Sequence, residues 1–236
     1  MKAILLAAGR GTRISRMVEH IPKCTLPIDG KPLIRITAEI LSKAGFEISV
    51  CVGYKNNLIH KALKGLKVQY FENPFFDITN SIASLWFAKD CLEGDVLILN
   101  ADVFFSEEIL RRILADERDV VMAIDTGRTV TGDYFFSTTD SGCIKRYGKD
   151  LPLEERSCEY VGIAKISESF LPPLLKKLEE LIKNQKHHMW WEDVIYSLSA
   201  ERNIYTVDIN GEFWSEIDYF DDYERILNYI KRGLDE

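Results

Sequence analysis

The sequence predicts an α/β fold: a Rossmann-like, three-layer α/β/α domain with a mostly parallel mixed sheet. Short apolar, strand-like runs alternate with amphipathic, helix-like segments, a pattern typical of parallel strands joined by right-handed crossovers. The chain of 236 residues, 46% of them hydrophobic, suits one sizeable domain with its own core. We therefore predict a single domain over residues 1–236, in which residues 126–166 form a small antiparallel β insertion, a lid over one side of the cleft.

The first half of the chain carries the alternation most clearly. Apolar residues at helical spacing predict helices, and short runs that are apolar throughout predict buried strands. Asp95 to Asn100, with the sequence DVLILN, is the most convincing central strand. The predicted elements are, in order, strand 3–6, helix 34–44, strand 47–52, helix 57–63, strand 68–71, helix 81–91 and strand 95–100.

The second half begins with a helix and then changes character. Ser106 is a typical N-cap for a helix that reaches residue 114. Shorter alternating segments with turns near Gly142 and Gly148 follow and indicate the antiparallel insertion. The remaining predicted elements are strand 119–124, helix 167–184, helix 190–198, strand 204–208 and helix 220–230.

Composition excludes several classes of protein. A net charge of -7 argues against a broad nucleic-acid surface, which needs a basic stripe. The five cysteines are scattered, without a CxxC pair or zinc spacing, so we expect reduced thiols in the cytoplasm. Because no apolar run approaches about 18 residues, we expect no membrane partner. A homodimer, or fusion to another enzyme module, stays open.

The stretch after the first strand, LAAGRGTR, is a small-residue loop that lets the backbone approach a phosphate closely. Arg13 and Lys23 supply fixed positive charge for a polyphosphate. A dinucleotide fold is disfavoured, because Ile14 stands where GxGxxG has its third glycine. The Gly-Lys-Ser/Thr of a P-loop is absent as well.

LAAGRGTR followed by Pro22-Lys23 resembles the nucleotidyltransferases that couple a nucleoside triphosphate to a sugar phosphate or alcohol phosphate. The resemblance continues at Lys31-Pro32-Leu33, Val52-Gly53-Tyr54 and Asn100-Ala101-Asp102 and covers most of the chain. In that family the loop wraps the base and triphosphate, and the lysine contacts phosphates. It therefore implies nucleotide contacts from Leu6, Ala7, Ala8, Gly9, Gly11, Thr12, Arg13, Lys23, Gly53, Tyr54 and Ala101.

Acidic residues in two distant places match the family's magnesium site. Asp102 follows the apolar strand, at the edge where open α/β sheets bind ligands, and in the family this aspartate binds Mg²⁺. The pattern WxEIDxxxDY, which begins at Trp214, resembles the choline-phosphate and 2-aminoethylphosphonate cytidylyltransferase branch. The aspartate of EID, here Asp218, completes the metal site there, and alternation puts Glu216 on the same face. We predict Asp102, Asp218 and Glu216 as metal ligands, and Arg13, Lys23, Asp102 and Asp218 as the catalytic set.

The segment that begins at Asn80 bears on which base is bound. It resembles the asparagine-led segment that follows the third strand in the cytidylyltransferases, and we predict that Asn80, Ser81 and Ser84 contact a pyrimidine edge. The alternative is that Asn80 and Ser81 only cap the following helix, and the two roles are compatible. We predict CTP as the nucleotide.

The segment Met189 to Asp193, MWWED, bears on the acceptor. An aromatic ring beside carboxylates holds an ammonium, and Glu192 matches an acid of the choline-phosphate enzymes. With Glu216, Tyr134 and Tyr160, it predicts a zwitterionic acceptor, 2-aminoethylphosphonate or phosphocholine, with a slight preference for the primary amine. Trp191 is predicted to contact this acceptor, although a plain aromatic helix core would give the same pattern.

The predicted reaction is in-line attack of the acceptor on the α-phosphate of CTP, with release of pyrophosphate. The acceptor oxygen is already anionic at neutral pH, so the reaction needs alignment and charge neutralisation but no general base. Two alternatives stay open: a sugar-1-phosphate nucleotidyltransferase that uses UTP, dTTP or GTP, and a non-catalytic nucleotide-binding domain.

Overall fold

The structure is a computed structural model that describes residues 1–11 and 21–234. The nucleotide contacts predicted for Thr12 and Arg13 lie outside these residues. The strands are β1 (Lys2–Leu6), β2 (Pro27–Ile28), β3 (Lys31–Pro32), β4 (Glu47–Val52), β5 (Val68–Glu72), β6 (Val96–Asn100), β7 (Val103–Phe105), β8 (Val120–Asp125), β9 (Phe135–Thr138), β10 (Ile144–Gly148), β11 (Cys158–Ile166), β12 (Tyr205–Asp208) and β13 (Trp214–Glu216). The α-helices are α1 (Leu33–Lys43), α2 (Asn56–Ala62), α3 (Ser81–Phe87), α4 (Glu107–Ala115), α5 (Leu171–Lys183), α6 (Glu192–Tyr196) and α7 (Phe220–Leu234).

One mixed sheet organises these elements. Its strand order is β10-β9-β11-β6-β1-β4-β5, and β8 pairs with β11 while β12 pairs with β8. Strands β6, β1, β4 and β5 are parallel neighbours, as are β8 and β12. Strand β11 runs antiparallel to both β6 and β8. The predicted mostly parallel mixed sheet is confirmed.

Helices cover both faces of this sheet. Alternate residues of β1 point to opposite faces, so that Ile4 enters one apolar cluster and Leu5 the other. The Ile4 cluster takes residues of α3, α5 and α6, and the Leu5 cluster takes residues of α1, α2 and α4. This arrangement is the predicted three-layer α/β/α fold. Among the helices of the described residues, none has the length and apolar character needed to cross a bilayer.

The segment predicted as an insertion, residues 126–166, is antiparallel as expected, but its last strand is not part of a lid. Strand β11 lies within the central sheet between β6 and β8, and all nine of its residues are buried. Strands β9 and β10 extend the same sheet, because β9 pairs with Cys158 and Glu159 at the start of β11. The charged residues Glu159 and Lys165 obscured the buried character of β11 in the sequence.

A two-stranded antiparallel ribbon of β7 and β13 lies beyond the C-terminal end of β6, and the sequence did not predict it. Trp214 is opposite Phe105, and Glu216 is opposite Val103. Each strand has three residues, which is too short for an alternating pattern to reveal it. The ribbon brings two segments more than 100 positions apart in the chain to one edge of the sheet.

Candidate active site

A cleft of about 440 Å³ opens where β1 and β6 end. Parallel strands of open α/β sheets bind ligands at this edge, because the chain turns away from the sheet there on both sides. Most predicted site residues line the cleft, namely Leu6, Ala7, Ala8, Gly9, Gly11, Lys23, Asn80, Ser81, Ser84, Ala101, Asp102, Tyr134, Tyr160, Glu192, Glu216 and Asp218.

The predicted nucleotide contacts Gly53 and Tyr54 do not line the cleft. They support the glycine loop from behind, since the Tyr54 backbone N–H donates to the Ala8 carbonyl at 3.0 Å. A Cβ added to Gly53 would lie 2.9 Å from the same carbonyl oxygen and 2.8 Å from the Phe76 Cβ. The VGY motif therefore permits close packing under the loop. Phe76, which the sequence analysis missed, lines the cleft above it.

Three carboxylates gather at one end of the cleft. Oxygen atoms of Asp102, Glu216 and Asp218 all lie within 4.8 Å of one another. The ribbon of β7 and β13 holds them in place, and the Ile217 backbone N–H donates to the Asp102 carbonyl at 3.0 Å. The structure thus brings the three predicted metal ligands together.

Lys23 lies among these carboxylates. Its Nζ donates a hydrogen bond to Asp218 and is 3.7 Å from Asp102 Oδ2. Burial lowers the pKa of Lys23, but Asp102, Asp218 and Glu216 outweigh burial and raise the pKa above its ordinary value. Gly11 has φ +63°, and a Cβ there would overlap the Lys23 side chain. Glycine at this position therefore lets the loop pack directly on the lysine.

The carboxylate cluster fits a hard divalent cation. Burial and the charges of Asp102 and Asp218 raise the pKa of Glu216 well above its ordinary range, although Lys23 opposes this shift. Such repulsion favours a bound cation, and carboxylate oxygens are the ligands that Mg²⁺ prefers. Asp102, Glu216 and Asp218 are thus the described residues that could hold a metal at this end of the cleft.

Asn80, Ser81 and Ser84 are predicted to contact the base of the nucleotide. All three line the cleft, and their side chains also form hydrogen bonds within the protein. Asn80 caps α3 by accepting from the Ser81 backbone N–H at 2.8 Å. The Ser81 hydroxyl accepts from the Trp191 backbone N–H at 2.9 Å. The Ser84 hydroxyl accepts from Asn73 Nδ2 at 3.0 Å, and Asn73 is a lining residue that the sequence analysis missed. The capping interpretation of Asn80 is confirmed, and its contact with a base stays a prediction.

The two adjacent tryptophans, Trp190 and Trp191, take different positions relative to the cleft. Trp191, the predicted acceptor contact, is 1% exposed and does not line the cleft, whereas Trp190 does. The predicted acceptor contact of Trp191 is therefore wrong, and the alternative given for it, a place in the aromatic core, is what the structure shows. The reason is the helix start: α6 begins only at Glu192, so both tryptophans precede it and helical spacing does not apply to them.

The side-chain amide of Asn100 forms hydrogen bonds with Trp191 and Glu192. Asn100, at the end of β6, accepts from Trp191 Nε1 at 2.9 Å and donates to Glu192 Oε1 at 3.3 Å. Burial raises the pKa of Glu192 to about 8, and the Asn100 hydrogen bond only partly opposes this shift. Asn100 was not predicted as a site residue, although its place at the tip of a buried strand, two residues before Asp102, is a signal that could have found it.

Aromatic rings that are scattered in the sequence surround Glu192. Tyr134 stacks on Tyr196 with ring centroids 5.4 Å apart, and it meets Trp190 edge to face at 6.2 Å. Tyr160, Trp190 and Tyr196 line the cleft with Tyr134. Tyr134 and Tyr160 were predicted from the sequence, whereas Trp190 and Tyr196 were not. The lining pair Asp133 and Lys149, whose charged atoms are 2.7 Å apart, was not predicted either.

The fold and the cleft define a nucleotidyltransferase, with a glycine loop and a carboxylate cluster at one edge of a mostly parallel sheet. The MobA-like NTP transferase domain matches residues 3–195, and the chain belongs to this family. The resemblance to nucleotidyltransferases inferred from the motifs is therefore confirmed.

Several named relatives are cytidylyltransferases, and others are bifunctional GlmU proteins. The chain is 30% identical to the 2-aminoethylphosphonate cytidylyltransferase of Lancefieldella rimae, over 92% of this chain and 87% of that protein. It is 26% identical to the CTP:phosphoglutamine cytidylyltransferase of Campylobacter jejuni, over 95% of this chain and 98% of that protein. The solved CTP:phosphocholine cytidylyltransferase from Streptococcus pneumoniae shares the fold, with a TM-score of 0.80, 20% identity, and coverage of 97% of this chain and 98% of that one.

Proposed function

We propose that this protein is a Mg²⁺-dependent cytidylyltransferase. It would transfer CMP from CTP to a small phosphonate or phosphate ester that carries an amine, such as 2-aminoethylphosphonate or phosphocholine, and release pyrophosphate. One observation carries the proposal: Lys23 and three carboxylates lie beside the glycine loop, and a buried glutamate among aromatic rings lies in the same cleft. An anionic polyphosphate suits the first end, and a cationic group suits the second.

The nucleotide end provides binding and charge neutralisation. Backbone groups of Leu6 to Gly11 would approach the triphosphate, and Thr12 and Arg13 would continue this contact beyond the described residues. Asp102, Asp218 and Glu216 would hold Mg²⁺, which supplies Lewis-acid stabilisation of charge on the α-phosphate when bound. Lys23 would exchange its carboxylate partners for phosphate oxygens and stabilise the negative charge that develops in the transition state.

The acceptor end provides alignment. Glu192 and Glu216 would face the ammonium of the acceptor, and Tyr134 and Tyr160 would line the same part of the cleft. The phosphonate or phosphate oxygen would then point toward the α-phosphorus, opposite the leaving pyrophosphate. Because that oxygen is already anionic, no side chain needs to remove a proton from it, and holding the two reactants in line supplies much of the rate enhancement.

The choice of CTP rests on two supports. Relatives over nearly the whole chain are named as cytidylyltransferases. The cleft is also lined by the short polar side chains of Asn80, Ser81 and Ser84, which suit hydrogen bonds to a pyrimidine edge. Together they favour CTP over the other nucleoside triphosphates.

A pyrophosphate-release screen tests the proposal. The enzyme is incubated with Mg²⁺ and each of CTP, UTP, dTTP and GTP, against 2-aminoethylphosphonate, phosphocholine and several sugar 1-phosphates. We expect release with CTP and an amine-bearing acceptor. Release only with a sugar 1-phosphate would overturn the proposed acceptor, and release only with another nucleotide would overturn the proposed base specificity.

A further inference from the structure

We propose that the acceptor carries a primary ammonium rather than a quaternary one, and that Tyr160, Tyr196 and Glu192 bind it by hydrogen bonds. This inference rests on the proposed cytidylyltransferase function and deepens it. It names the group that the enzyme uses to choose among zwitterionic acceptors, and it assigns the selection to two tyrosine hydroxyls.

The first observation is a pair of buried, unpartnered hydroxyls on two tyrosines that line the cleft. Tyr160 is 7% exposed and Tyr196 is 3% exposed, and both line the cleft. Within the part of the chain that the structure describes, neither hydroxyl has a hydrogen-bond partner. Native proteins pair nearly all buried polar groups, because an unpaired one loses its hydration without compensation. Two orphaned hydroxyls in one cleft therefore indicate a polar ligand.

The second observation is the position of Glu192, which lies one helical turn before Tyr196 on α6 and lines the same cleft as Tyr160. Burial raises the pKa of Tyr160 and of Tyr196 well above the ordinary range, and in both cases the Glu192 carboxylate adds to the shift. Glu192 is itself only 7% exposed and holds the Asn100 amide on Oε1. Two hydroxyl oxygens and a carboxylate are three acceptors around one region of the cleft. A primary ammonium has three N–H donors to match them.

The third observation concerns the ring faces, which a quaternary ammonium needs. Tyr196 stacks on Tyr134 at 5.4 Å and on Tyr147 at 4.5 Å. The Lys149 ammonium already lies over the Trp190 ring, 4.8 Å from its centroid. These contacts occupy aromatic surface that would otherwise surround a trimethylammonium group. A trimethylammonium also has no N–H donor, so it would leave both hydroxyls unpaired.

Matched acceptors test the inference on the full chain. The comparison is kcat/KM, at saturating CTP and Mg²⁺, for 2-aminoethylphosphonate against its N,N,N-trimethyl analogue, and for phosphoethanolamine against phosphocholine. Each pair differs only in the methyl groups. We expect the primary amine to be preferred at least about 100-fold in both pairs, because a site built for hydrogen bonds rejects an analogue that lacks the donors.

Two variants test whether the tyrosine hydroxyls cause the preference for the primary amine. Tyr160→Phe and Tyr196→Phe keep the rings, and each removes one hydroxyl oxygen that accepts a hydrogen bond. Each variant should therefore lower the kcat/KM ratio of the primary to the trimethylated substrate about tenfold. Tyr147→Phe is the matched control, because Tyr147 stacks on the same ring but does not line the cleft. The kcat/KM ratio of the Tyr147→Phe variant for the primary and trimethylated substrates should equal that of the unmodified enzyme.

These experiments distinguish a failure of the inference from a failure of the proposed cytidylyltransferase function. Equal or better turnover of the trimethylated acceptors would overturn the inference and leave the cytidylyltransferase function in place. An unchanged ratio in both phenylalanine variants would overturn the role of the hydroxyls. Absence of turnover with all four amine-bearing acceptors, alongside turnover of a sugar 1-phosphate, would overturn the proposed function and the inference with it.

Discussion

The part of the cleft that we propose for the nucleotide (the nucleotide end) and the part that we propose for the acceptor (the acceptor end) differ in how their buried charges are balanced. At the nucleotide end, Lys23 forms an ion pair with Asp218 and lies 3.7 Å from Asp102. At the acceptor end, Glu192 is hydrogen-bonded by a neutral amide, Asn100, and two nearby tyrosine hydroxyls are unpartnered within the described residues. One end is thus partly neutralised by the protein itself. The other end leaves polar groups that a cationic ligand would satisfy.

The largest expected effect concerns the nucleotide end. Asp102→Ala removes one of the three clustered carboxylates, and we expect kcat/KM to fall at least about 1,000-fold at any Mg²⁺ concentration. Pyrophosphate release across a Mg²⁺ titration measures this. Asp140→Ala, at an exposed turn, is the control and should retain full activity. Recovery of the Asp102 variant at high Mg²⁺ would show that the metal is held elsewhere.

The next largest effect is a pH dependence of folding stability, which arises from Glu192 at the acceptor end. Since the pKa of Glu192 is raised from 4.5 to about 8, the folded protein binds more protons than the unfolded chain between these pH values. Stability should therefore fall as the pH rises through this window, with a slope from this group of at most about 1.4 kcal/mol per pH unit.

The variant Glu192→Gln isolates this contribution. It has no proton to lose, so its free energy of unfolding should fall less between pH 5 and pH 8.5 than that of the unmodified protein. Urea unfolding in the absence of metal and substrates measures both. Parallel pH profiles for the two proteins would mean that Glu192 ionises normally in the folded state.

A smaller effect should come from the amide between the two ends. Asn100→Ala removes the hydrogen bonds to Trp191 and Glu192, so we expect the KM of the acceptor to rise about tenfold. The KM of CTP should change less, because the amide orients the acceptor acid. Trp191→Phe removes only one of these bonds and should shift the acceptor KM in the same direction by a smaller factor. A larger rise in the KM of CTP would place Asn100 at the nucleotide end.

The smallest effect is on stability without ligand. Because the Tyr196 hydroxyl is buried and unpartnered within the described residues, Tyr196→Phe should stabilise the ligand-free protein by about 1 kcal/mol. For a domain of this size that corresponds to an increase in Tm of about 2–4 °C. Differential scanning calorimetry measures it, with Tyr147→Phe as the control. A decrease in Tm would show that the hydroxyl has a partner in the folded protein.

The fold and the nucleotide end were readable from the sequence because their signals are contiguous. Strand β4 has the predicted bounds, 47–52, and Asp102 follows β6, which the sequence predicts as a central strand. Glu216 and Asp218 meet Asp102 as alternation along an extended segment predicted. Each of these features depends on local periodicity or on a short motif. Such local patterns can be recognised in the sequence without knowledge of the fold.

The acceptor end was less readable because it depends on side-chain directions. Tyr134, Tyr160, Trp190 and Tyr196 come from separate segments, and only the fold brings them together. The positions of Trp190 and Trp191 depend on where α6 begins, which propensity does not determine to one residue. The ribbon of β7 and β13 is a long-range pairing that no local pattern revealed.

The most direct test of the proposed activity is the identity of the product. The full chain is incubated with CTP, Mg²⁺ and 2-aminoethylphosphonate, and the mixture is analysed by mass spectrometry alongside a pyrophosphate assay. We predict a CMP-linked phosphonate in equimolar amount with pyrophosphate. Pyrophosphate and free CMP without a conjugate, or a conjugate formed only with sugar 1-phosphates, would contradict the proposed activity.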